Sequence, residues 1–286
     1  MMSWRSTTDP GRYTAMSSIP APGPLIRHRP QIWLKESWLC LSGLTLQTRM
    51  TVIELDGGLL LHSPSPGPLT AEARREIEGL GVPRYLVAPN EIHNVGLRAF
   101  QQAYPGAHTT GCVGHPQRVR DVRFDALLDT SATAHDVPWS GEILFHVIGG
   151  NQFLHEIALY HLASRTLILT DALEFIDPEV HVSSKTLSAR LMLGLMKGLG
   201  FSLGGACMSP GHHVFCRDPG ALHVSLATIE AWDFDSVVIT HGRLLEGVAA
   251  RHAVRQAFES TIRAAQQRRA PARALFSVLA RIAAAC

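Results

Sequence analysis

The sequence predicts an α/β chain in which two mixed sheets face each other with helices on their outer faces, layered αββα. Three observations predict it. Short apolar runs of strand length come in pairs in each half of the chain, and each pair is followed by helical periodicity. Turn signals separate those runs, notably Asp56-Gly57-Gly58 and the stretch holding Pro64, Pro66 and Pro68. The composition supplies the core such layers need: 46% of the 286 residues fall in the AVILMFWYC set and only 17% are charged. An average globular chain carries roughly 25% charged residues. No repeat of solenoid length is visible.

Residues 1–29, with Pro10, Pro20, Pro22 and Pro24 among small polar residues, read as a disordered tail. The folded domain spans 30–270, and 271–286 form a short basic extension. Order is expected to begin near Gln31 to Trp38. Thr51 to Leu55 and Leu59 to His62 make a hairpin over Asp56-Gly57-Gly58. Thr70 caps a helix that stops before Gly81, with Glu72 in its first turn. Arg84 to Ala88 is a short buried strand, Gly96 to Tyr104 a helix, and Ala107 to Thr110 a strand. Glu142 to Ile148, Glu156 to His161 and Thr166 to Thr170 are strands, the last two joined by the turn at Leu162 to Arg165. Lys185 to Lys197 and Ala221 to Ala231 are helical, Ser236 to Thr240 is a buried strand, and a long helix runs from Leu245 to Arg269. Leu191, Leu193, Leu195 and Met196 are expected to pack onto the sandwich.

Composition also bounds function. Lys plus Arg is 26 and Asp plus Glu is 24, so the chain is not built to coat nucleic acid. Five scattered cysteines, Cys40, Cys112, Cys207, Cys216 and Cys286, show no C-x-x-C pair, which points to a reducing, cytoplasmic setting. The N-terminus has no apolar signal region. The stretch Leu191 to Met208 is broken by Lys197 and five glycines, so no membrane association is expected. The fifteen histidines are the oddity, because imidazole is the commonest metal ligand and a general base near neutral pH.

Polar residues gather just past the ends of apolar strands: His62, Asn90 with His93, Asp171, and His241. Strand ends in layered α/β folds converge on one edge, where three imidazoles and a carboxylate suit a borderline-soft divalent ion. Each of these residues alone is more commonly an ordinary hydrogen-bonded histidine or carboxylate.

These stretches resemble the metallo-β-lactamase superfamily. Gly150-Asn151-Gln152-Phe153-Leu154-His155 followed by Leu167-Ile168-Leu169-Thr170-Asp171 is similar to the family's G-H-T-P-G-[SH] segment and its (G/T)D motif. Val238-Ile239-Thr240-His241-Gly242 is similar to its closing strand, and Ala88 to Gly96 takes the place of its H-x-H-x-D-H loop. Arg49 to Ile53, Leu61-His62-Ser63-Pro64 and Ala88-Pro89-Asn90 resemble a branch of that superfamily described as a domain of unknown function. The resemblance covers roughly 30–265 and implies the αββα sandwich.

The metal motif departs from the pattern. Pro89 and Glu91 stand at the two early His positions, His93 at the Asp, Asn94 at the last His, and Asn151 at the next ligand. Asp171 and His241 match. The resemblance therefore implies at most one Zn or other divalent ion, held by His93, Asp171 and His241 with His62 beside them. His93 and Glu91 are the expected catalytic groups, and Asn90, Asn151 and His155 the substrate-binding ones. The implied activity is hydrolysis of an ester, lactone, thioester or related small molecule. The alternative is a metal-free scaffold of the same fold.

Other signals are weaker. Cys207, His212, His213 and Cys216 fit no common zinc-knuckle spacing. The seven Arg from Arg251 onward read as a solvated helix face. Ser63 with His93 would suit a serine hydrolase, but no G-x-S-x-G elbow surrounds it.

Overall fold

The computed structural model describes residues 21–41, 44–177, 182–183 and 204–267, with the single positions 187, 190, 191, 194, 197 and 202. The first sheet runs in the order β1 (Leu25–Arg29), β2 (Ile32–Leu41), β3 (Leu44–Leu55), β4 (Gly58–His62), β5 (Pro83–Val87), β6 (His108–Cys112), β7 (Ala126–Leu128), all adjacent. The first four strands are antiparallel; β4 to β7 are parallel. The second sheet contains β8 (Ile143–Ile148), β9 (Glu156–His161), β10 (Thr166–Leu169), β12 (Ser236–Ile239) and β13 (Leu245–Glu246), while β11 (Val182–Ser183) pairs with β3.

Side chains alternate across a strand, and the alternation builds the layers. Leu60, Val87, Ile168 and Val238 point between the sheets and pack together with Ile157 and Leu159. Their neighbours point outward. Leu59, Leu61 and Leu86 pack on Ile77 of α1 (Ala71–Glu78) and on Leu97 and Phe100 of α2 (Leu97–Ala103). On the other side Leu167, Leu169, Val237 and Ile239 pack on helices α5 (Pro219–Glu230) and α6 (Gly247–Gln267). Strands buried on both faces read as continuous apolar runs, which is why β4, β10 and β12 are legible in the sequence. Two shorter helices are α3 (His115–Arg118) and α4 (Pro210–Phe215), a 3-10 turn forms at Ala134–Asp136, and Leu187, Arg190, Leu191, Gly194 and Lys197 are also helical.

The hairpin turns over Asp56 and Gly57 between paired Leu55 and Gly58, and Thr70 caps α1 by accepting from the Ala73 amide. One boundary needs correction. Leu25–Arg29 fall inside the expected tail yet form β1, paired with β2 at the sheet edge. Their polar LIRHR pattern suits a half-exposed edge strand and gives no apolar run to read. Residues 1–20 and 271–286 lie outside the described residues. Of the positions expected to pack a helix onto the sandwich, Leu191 is 67% exposed; Leu193, Leu195 and Met196 lie outside the described residues. No helix among the described residues is long and apolar enough to cross a membrane.

Candidate functional site

Parallel register explains how the site assembles. Leu169 of β10 is opposite Ile239 of β12, so Asp171 and His241, each two residues further on, arrive side by side. Gly242 lets the chain turn there: its φ is +114°, and a Cβ would overlap the Phe175 carbonyl. From the facing sheet, the loop after β5 brings His93. The Asn90 side chain shapes that loop by accepting from the Ile92 and His93 amides, each at 3.0 Å.

His93, Asp171 and His241 meet with one ligand atom each, all within 4.8 Å of one another, and all three side chains are largely buried. His93 Nε2 lies 3.3 Å from Asp171 Oδ2 and 3.2 Å from His241 Nε2. Each ring is tied down on its other nitrogen. His241 Nδ1 donates to the Gln47 carbonyl at 2.7 Å, and His93 Nδ1 lies 3.0 Å from Ser63 Oγ. Because a carbonyl only accepts, His241 in its neutral form presents a lone pair at Nε2. Burial, helped by the charge of His93, pushes His241 down to about 4, so the neutral form prevails at pH 7. Two ring nitrogens and a carboxylate oxygen thus converge on a point that requires positive charge. A proton on His93 or a bound cation would supply it.

The surrounding charges follow from burial. Burial opposes a charge on His93, but the charge and hydrogen bond of Asp171, with the charge of Glu156, outweigh it and raise that imidazole. Burial likewise opposes the Asp171 carboxylate, yet the charge and hydrogen bond of His93, then His241 and His212, hold it far below its ordinary range. Glu174 beside it is pushed well up by burial, by the charge and hydrogen bond of Asp171 and by the charge of Glu156.

Sequence reasoning missed Glu156, which organises the site from behind. Fully buried at the start of β9, it accepts from the backbone amides of Thr170, Asp171 and Ala172 at 2.8–2.9 Å. Asn90 Nδ2 and His212 Nε2 reach it at 3.4 and 3.3 Å. A lone carboxylate opening the apolar run Glu156-Ile157-Ala158-Leu159 was the available signal, since a buried charge requires partners.

Several expectations are corrected by burial. Asn90 is fully buried, and its amide donates to Asp171 Oδ2 at 2.7 Å and to Thr170 Oγ1, so it orients Asp171. Asn151 accepts from the Phe153 and Leu154 amides and donates to the Gly211 carbonyl, so it holds its own loop. Glu91 turns away from the trio: its carboxylate meets His155 Nδ1 at 2.6 Å and the His155 amide at 2.8 Å. No knuckle forms either, because His212 faces Glu156 and His213 faces Thr261. Arg251, Arg255 and Arg263 pair with Asp233, Glu230 and Glu259.

His62 ends β4 outside the group of three, fully buried, with neither ring nitrogen hydrogen-bonded. Burial and the charge of His93 push it down to about 3. In the unfolded chain it takes up a proton near pH 6.5, so the fold loses its contribution as pH falls from about 6.5 to about 3. Denaturant titrations in chelator should show stability falling over that window by up to about 1.4 kcal/mol per pH unit for this group. His62→Phe should flatten the slope; an unchanged slope would contradict the assignment.

Comparison with known proteins agrees with the fold. Residues 29–193 match the family model described as a domain of unknown function, DUF4336. No curated protein matches the chain. Among solved structures, a metallo-β-lactamase from Pontibacter korlensis superposes with a TM-score of 0.56 at 12% identity, covering 85% of this chain and 99% of that one. One from Hirschia baltica gives 0.54 at 12% identity, covering 85% and 98%. The mono-zinc form of FIM-1 from Pseudomonas aeruginosa gives 0.54 at 14%, covering 87% and 97%.

Proposed function

The chain belongs to the DUF4336 family and has the metallo-β-lactamase fold, and from that premise we propose a hydrolase with a mononuclear metal site. The ligands are His93, Asp171 and His241; the substrates are esters, lactones, thioesters or related small molecules. The observation that supports it is the convergence of two Nε2 atoms and one carboxylate oxygen within 4.8 Å, each ring anchored through Nδ1.

Two imidazoles and a carboxylate are the donor set of a catalytic zinc site, three protein ligands with a position left open. When bound, a divalent ion there would polarise a carbonyl and lower the pKa of water. The chain's own residues do the rest. Gln47 and Ser63 hold the two rings, Asn90 and Glu156 hold Asp171, and burial keeps bulk water from the ligand atoms. A second reading, the metal-free scaffold, rests on the raised pKa of His93, since its proton can occupy the same point.

Elemental analysis of protein purified without chelator or added zinc separates the two. About one equivalent supports the hydrolase; less than about a tenth supports the scaffold. Ser63 refines the test. It lies in the left-handed region at φ 53°, and its hydroxyl touches His93. As an outer partner of a ligand, its loss in Ser63→Ala should weaken zinc binding about 10- to 100-fold. If the variant binds zinc normally but loses all esterase activity, the hydroxyl is a nucleophile instead.

A further inference from the structure

Beside the trio, and not lined by it, opens a cavity of about 880 Å³ between the β8 end, the 149–155 loop and the start of α5. His155 stands in its wall. The Glu91 side chain behind it is 1% exposed, and both its oxygens are directed at His155. A buried carboxylate requires a counter-charge, and the imidazole is the group placed to supply it. With Nδ1 committed to Glu91, Nε2 is the ring nitrogen left to the cavity. The hydrogen bond and charge of Glu91 also raise the His155 imidazole against its partial burial.

The wall also holds Arg217, Asn151, Gln152 and Thr130, and three further polar groups in it have partners of their own. His146 meets Ser225 Oγ at 3.0 Å. Asp218 accepts from the Gly220 and Ala221 amides, and Asp129 from the amide and hydroxyl of Ser131. The apolar part of the wall is Val147, Ala221 and Val224, and Val224 is 63% exposed. A large apolar side chain left open on a concave surface is an ordinary feature of a ligand pocket.

We infer that this cavity binds a small monocarboxylate with a short apolar tail, its head on His155 Nε2 and its tail along Val147, Ala221 and Val224. The His155 donor, the Arg217 residue that shares the wall, and the apolar side chains match that shape and charge. Asp129 is the competing anion, because its charge reaches the same imidazole. The binding claim stands whether or not the trio holds an ion.

Hexanoate is the probe, titrated by calorimetry and by the ring signals of His155. The expected dissociation constant is on the order of 1 mM, as befits so small a ligand. His155→Gln should weaken binding at least about tenfold. Asp129→Asn, on the exposed rim, should tighten it about three- to tenfold by removing the competing charge. Hexylammonium should not bind at concentrations that saturate with hexanoate. The Asp171→Ala/His241→Ala variant should keep the parent affinity, which separates this claim from the metal reading. The proposal is overturned by any of four results: no hexanoate binding at about 50 mM, hexylammonium binding as well, weaker binding in Asp129→Asn, or loss of binding in the trio variant, which would place the head on the trio.

Discussion

Dialysed against zinc, the Asp171→Ala/His241→Ala variant will hold less than about a tenth of an equivalent where the parent chain holds one. Removing the carboxylate takes away the only negative charge in the group and one of its ligands. Removing His241 takes away the nitrogen whose orientation the Gln47 carbonyl fixes. One imidazole remains, and a single imidazole does not retain zinc through dialysis. The parent affinity will also depend on pH with a definite sign. His93 is raised above the ordinary imidazole value, and binding must displace its proton. Affinity therefore climbs about tenfold per pH unit below the folded pKa of His93 and levels off above it. Chelator competition at pH 6, 7 and 8 measures this. Affinity independent of pH, or zinc retained by the double variant, would remove His93, Asp171 and His241 as the ligands.

Glu156→Ala will cost on the order of 3–5 kcal/mol, the largest loss expected from any single change at the site. Three backbone amides and the His212 ring lose their acceptor in a region with no exposure to water. The loop bearing Asp171 is held by those amides, so zinc binding should fall with stability. Glu174→Gln makes the informative contrast. That side chain is also buried, and its carboxyl is pushed well above the ordinary range, so an amide replaces it at less than about 1 kcal/mol. Denaturant midpoints of the two variants test the difference. If they match, Glu156 does not act as the charged acceptor that orders the loop.

His62, His93, Asp171 and His241 stand out in the sequence because each follows an apolar strand, and the folded chain groups the last three. Glu156, Glu174 and His212 do not stand out, although they surround Asp171. Glu156 takes its amides from the backbone of another segment, His212 meets the Glu156 carboxylate and Glu174 meets Asp171, and no spacing along the chain encodes a carboxylate accepting amides 14 to 16 positions away. Asn90 is expected at a substrate from its place past a strand end, and Asn151 from its place at a ligand position of the resembled motif. Amides suit a turn as well as a ligand, and here both side chains accept from the amides of their own loops. Glu91 is expected near the trio because it stands at an early His position of the resembled motif. The loop turns between them, and its carboxylate reaches across to His155.

Pattern by itself determined the layers. Strands buried on both faces must be apolar throughout, helices must carry one apolar face, and a two-residue turn at Asp56-Gly57 permits one pairing. Those are local consequences of chain geometry, so they are written locally. Tertiary structure alone decided which polar groups meet. Parallel register set Asp171 beside His241, and the packing of one sheet on the other brought His93 within 3.3 Å of Asp171. The same packing directed Glu91 at the cavity histidine. Charge and hydrogen bonding act over a few ångströms of space, whatever the separation along the chain, and only the folded chain sets those distances.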